Sequence, residues 1–182
     1  MNSKIAHYAL MAGACAFVPL PILDGWLQRK ATRAMYAAIA ESAGKPLDAA
    51  ALDALAADRE SLLLGCLGAV VVWPIKKLFR TVFYFLTVKD AIDGVALAAL
   101  RGAMVHKALD RLPEGAKGVR DVMDLTVGRW QYSPVSRVIL RGERPPATWL
   151  LPSDDLGVGW VYRHAGGAAI LDDFAARLEK LP

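Results

Sequence analysis

Apolar residues recur along most of the chain at the three- and four-residue spacing of helices, and proline or glycine separates one such segment from the next. This pattern predicts helices over residues 3–18, 23–43, 47–57, 89–112, 116–128, 134–141 and 168–181. The second of these helices is amphipathic, with Arg29, Arg33 and Glu41 among the residues away from its apolar face. That apolar face is expected to comprise Leu23, Leu27, Ala31, Ala34, Met35, Ala38 and Ile39.

The predicted helices indicate an all-α fold, because few runs are rich in Val, Ile or Thr. We expect residues 1–142 to form a bundle of six or seven helices. From residue 143 the chain becomes rich in proline and glycine before a last helix with Leu171, Phe174, Leu178 and Leu181 at packing spacing. With 182 residues the chain has the length of one ordinary domain. Residues 143–182 are therefore expected to be a C-terminal helical arm docked on the bundle.

Two apolar runs, residues 5–18 and 62–75, are too short to span a membrane as helices. Each would form a helix about 21 Å long, whereas the hydrocarbon core of a bilayer is about 30 Å thick. Pro19 and Pro21 limit the first run, and basic residues follow the second. Each run is therefore typical of either a buried core helix or a re-entrant, interfacial segment.

The composition supports a folded, apolar chain with a mild positive charge. Residues of the apolar set make up 55%, the mean hydropathy is +0.31, and the formal net charge is +4. This composition excludes disorder, and the charge could attract anionic lipid, an acidic partner or nucleic acid. Cys15 and Cys66 both lie in apolar runs, which favours buried thiols in a reducing compartment over a disulfide framework.

The sequence predicts no enzyme. The three histidines are far apart and none has the spacing of a metal site, and the GxSxG, Walker A and GxGxxG motifs are absent. No catalytic, cofactor-binding or metal-binding residue is therefore expected. Asp90 and Asp93 share one helix face, as a pair of catalytic acids would, but we interpret them as residues in the first turn of the long helix. An enzyme would need this pair to face a pocket.

Aromatic and basic residues flank both apolar runs, and these are the types found at lipid headgroups. The predicted contact residues are Trp26, Arg29, Lys30 and Arg33 after the first run, and Trp73, Lys76, Lys77, Arg80 and Tyr84 around the end of the second. The alternative is a bundle rich in Ala and Leu whose cations extend into water from a protein core.

Residues 17–24 read Phe-Val-Pro-Leu-Pro-Ile-Leu-Asp. They comprise the end of an apolar helix, a Pro-x-Pro motif, an apolar pair and an Asp, and an amphipathic helix follows them. This segment resembles the corresponding junction of EcsC-like proteins and of the YcjF-type family that accompanies membrane GTPases. Residues 88–93, Val-Lys-Asp-Ala-Ile-Asp, are also similar, so the likeness covers residues 5–110. It implies a helical, membrane-associated protein, and no catalytic residues follow from it. The chain departs from these families in being short and in lacking a GTPase half, so no direct GTPase role is expected.

These observations predict a non-catalytic accessory or scaffold protein at the cytoplasmic face of a membrane. Its expected partner is an anionic membrane surface or another protein, with no cofactor and no nucleic acid. The alternative is a cytoplasmic, all-helical protein–protein interaction module, for which homo-oligomerisation stays open.

Overall fold

The computed structural model describes residues 3–15, 21–57, 80–128 and 166–181. These residues form helices and no strand, which confirms the predicted all-α class. The six helices are α1 (Ser3–Ala14), α2 (Pro21–Ser42), α3 (Ala49–Ala56), α4 (Arg80–Ala108), α5 (Leu112–Val127) and α6 (Gly167–Leu178). The second apolar run, Cys66, the helix predicted at 134–141 and most of the proline- and glycine-rich stretch lie outside the described residues.

The end of α2 is set by Gly44, as its sequence position predicts. Gly44 has a φ of 71°, a left-handed conformation that glycine adopts without a Cβ penalty. The Gly44 N–H donates to the Glu41 carbonyl at 3.0 Å, and the Lys45 N–H donates to the Ala40 carbonyl, also at 3.0 Å. This pair of bonds is a Schellman motif, which satisfies carbonyls that the helix end leaves without partners.

The following helix, α3, begins two residues later than its apolar pattern predicts. Asp48 has extended backbone angles, and its Oδ1 accepts a hydrogen bond of 2.7 Å from the Ala51 N–H. Asp48 is therefore the N-cap, and the helix begins at Ala49.

The predicted bounds of the long helix, residues 89–112, are wrong at both ends. The helix begins at Arg80, because the apolar and aromatic pattern before Lys89 contains no helix breaker. It ends at Ala108, and Pro113 belongs to the first turn of α5. Proline is tolerated there because an N–H in the first turn has no partner within the helix. Residues 113–115 therefore lie in the next helix, where Gly115 produces a kink (φ −118°, ψ 19°).

The two helices α1 and α4 cross at backbone contact distance. A Cβ on Gly94 would lie 3.5 Å from the Cα of Gly13, and a Cβ on Gly102 would lie 3.0 Å from Ile5 Cγ2. The early part of α1 thus meets the later part of α4, so the helices are antiparallel. Met35 and Ile39 of α2 also face Gly102, which makes α1 and α2 antiparallel as well.

The other helices pack around this crossing. α2 contacts α1, α3 and α4, α3 contacts α5, and α6 contacts both α4 and α5. In α6, Phe174 and Leu178 are buried and Leu171 is partly buried, and Leu181, three residues beyond the end of the helix, is partly buried against the same core. All four residues pack as predicted, but the helix predicted to reach residue 181 ends at Leu178.

The predicted inner face of α2 is right in its centre and wrong at its edge. Ala31, Met35 and Ile39 are buried as expected, but Ala34 is exposed. Tyr36 and Ala40, which are absent from the predicted set, are fully buried. Because α2 contacts three helices, its buried face differs from the predicted one and includes Tyr36 and Ala40.

Candidate membrane-contact surface

The first apolar run is amphipathic in the part that the structure describes. Its inner residues Ile5, Ala6, Ala9 and Ala12 are buried, and α1 contacts α2 and α4. Met11 lies on the outer side and is 57% exposed. Most of α1 is therefore core, and Met11 is the large apolar side chain that it leaves outside.

Lys4, His7, Met11 and Ala14 share the outer side of α1, at intervals of three and four residues. Met11 is absent from the predicted contact residues, because the prediction takes the whole run as one apolar segment. The signal was the polar pair, Lys4 and His7, which lie seven and four residues before Met11.

Trp26 and Lys30 form a pair on the outer side of α2. Their spacing of four residues places one above the other on the helix surface. Trp26 is 47% exposed, and the Lys30 Nζ lies 4.5 Å from the centroid of the indole ring. A cation at this distance from a ring is attracted by the negative face of the π system. The pair combines an exposed apolar ring with a positive charge.

The other two predicted cations of α2 are placed differently. Arg33 forms an ion pair with Asp53, with 3.1 Å between Arg33 NH1 and Asp53 Oδ1. This pair links α2 to α3, so the Arg33 charge already has an acidic neighbour. Arg29 is half-buried. Of the four residues predicted after the first run, Trp26, Lys30 and Arg33 are thus exposed, and Arg33 is engaged with α3.

The contact residues predicted around the second run fall mostly outside the described part. Trp73, Lys76 and Lys77 lie outside it. Arg80 begins α4 and Tyr84 follows one turn later, and for these two the structure describes the backbone. The role of all five in membrane contact stays a prediction.

The two aspartates that share a face of α4 are not in its first turn, so that interpretation is wrong. The helix begins at Arg80, which places Asp90 and Asp93 well inside it. Asp93 Oδ2 accepts a hydrogen bond of 2.8 Å from Lys89 Nζ, one turn earlier. Asp93 therefore serves in an ion pair along the helix.

In the described ranges, no group of three or more His, Cys, Asp or Glu residues could hold a metal ion. Among the helices described, none is both long and apolar enough to cross a membrane.

Comparisons of the chain with protein-family models, with curated proteins and with solved structures find no match.

Proposed function

We propose that the protein is a non-catalytic accessory or scaffold protein that associates with the cytoplasmic face of a membrane. Short apolar helices and basic amphipathic helices would attach it. The observation that carries the proposal is the exposed Trp26 ring with Lys30 beside it. A formal net charge of +4 favours an anionic surface as the partner.

The physical basis is the chemistry of the headgroup region. Tryptophan concentrates there because its apolar ring and its polar N–H need different surroundings. A lysine near an anionic surface gains about 1 kcal/mol, and salt weakens this attraction. Trp26 and Lys30 supply both contributions from one turn of α2.

The fold that we propose for this role is a bundle of six or seven helices, with residues 143–182 as a docked C-terminal arm. The contacts of α6 with α4 and α5 support the docking of the arm's last helix. The buried Phe174 supports it as well.

Vesicle flotation tests the proposal. The full chain should float with vesicles of phosphatidylcholine mixed with phosphatidylglycerol, and less with phosphatidylcholine alone. Lys30→Glu changes the net charge by two units. The partition coefficient of this variant between vesicles and water should therefore be roughly thirtyfold lower than that of the wild type at low salt.

The matched control is Lys117→Glu, the same charge change at an exposed lysine of α5. Its partition coefficient should fall less than that of Lys30→Glu. A wild-type chain that stays in the soluble fraction with both kinds of vesicle would overturn the proposal.

A second candidate function is a soluble helical interaction module. The burial of Ile5, Ala6, Ala9 and Ala12 favours it, because this part of the first apolar run already has a protein cover. This candidate predicts a monodisperse species in detergent-free buffer that does not float with vesicles.

A further inference from the structure

We draw no further inference here: the strongest candidate, the surface patch at the exposed Leu125 on the outer side of α5, carries nothing because nothing in the structure shows what covers it.

Discussion

Arg120 is a cation in the core, only 7% exposed. Its Nε donates to Asp124 Oδ2 at 2.9 Å, and its NH1 donates to the carbonyl oxygen of Leu55 near the end of α3. One side chain thus joins α5 to α3 and satisfies a carbonyl at a helix end. Buried charges of this kind are tolerated only when they are paired.

We expect Arg120→Met to lower the free energy of unfolding by about 3 kcal/mol, because it leaves the Leu55 carbonyl and the Asp124 carboxylate without this donor. Urea denaturation measures the change. Arg177→Met is the control, since Arg177 pairs with Asp173 at the same 2.9 Å but is more exposed. It should cost less than about 1 kcal/mol. Equal losses in the two variants would contradict the role assigned to Arg120.

Asp110 gives a residue-scale prediction about pH. A hydrogen bond from Lys45 and the charge of that lysine lower the pKa of the Asp110 carboxyl below its ordinary value. A lowered folded-state pKa means that the pair stabilises the protein above the ordinary pKa of Asp, about 3.9. This contribution is lost as the pH falls through the lowered pKa.

Asp110→Asn should therefore reduce the urea midpoint at neutral pH, and the difference from wild type should vanish in acid. Urea titrations across the acid range test this. In a Lys45→Gln background the same substitution should have no effect at any pH, because the partner is gone. A difference that persists in acid would show that another interaction is responsible.

At this scale, short-range pairs could be predicted and long-range ones could not. The spacing of four residues in Lys89 and Asp93, or in Trp26 and Lys30, is visible in the sequence. The bond from Arg120 to Leu55 joins residues 65 positions apart, so no local pattern reveals it. The sequence alone does not distinguish a buried arginine from an exposed one, because burial depends on how the helices pack.

At the scale of the helices, Gly13 permits a close approach of α1 to α4, because it has no Cβ atom. A Cβ on Gly13 would lie 2.7 Å from the carbonyl oxygen of Ala91 and would overlap Val95 Cγ2. The valine methyl group could move, but the backbone oxygen could move only with its helix. Gly13 thus sets the distance between the two helices.

We expect Gly13→Ala to destabilise the protein by about 2 kcal/mol, because one helix must shift. Gly94→Ala, on the partner helix, is the matched control. Its Cβ would meet Gly13 Cα at 3.5 Å, an ordinary contact, so its gain in helix propensity of up to about 1 kcal/mol should prevail. Thermal and urea denaturation should give opposite signs for the two variants. The same sign for both would contradict the crossing.

The presence of most helices could be predicted from the apolar periodicity. Their ends depended on local chemistry, and the same residue type can either end a helix or begin one. Gly44 ends α2 as predicted, because a left-handed glycine is the commonest helix stop. Pro113 was interpreted as a stop and instead begins α5, because proline suits both places. Tyr36 was missed because its burial depends on three neighbouring helices.

At the scale of the whole molecule, two alternatives exist for the second apolar run, residues 62–75: it contacts either lipid or the protein core. Replacing Lys76, Lys77 and Arg80 together by Glu should abolish vesicle binding and retain the helical circular dichroism signal if the run meets lipid. Val71→Asp should instead abolish folding in detergent-free buffer if the run is core, because an aspartate there would be buried without a partner.

Flotation and circular dichroism on both variants give the answer. The triple variant tests the membrane proposal, and Val71→Asp tests the interaction-module alternative. A triple variant that binds vesicles like wild type would contradict a headgroup role for these three cations.

The crossing of α1 and α4 also has a consequence for how the protein is made. Gly13 and Gly94 are about eighty residues apart in the sequence, so α1 leaves the ribosome well before its partner exists. At roughly 5–20 residues per second, the inner face of α1 stays uncovered for on the order of ten seconds. During that interval the apolar face of α1 is accessible to chaperones and targeting factors that bind nascent chains. Ribosome-bound chains that end before residue 94 should therefore be the forms that such factors hold most firmly.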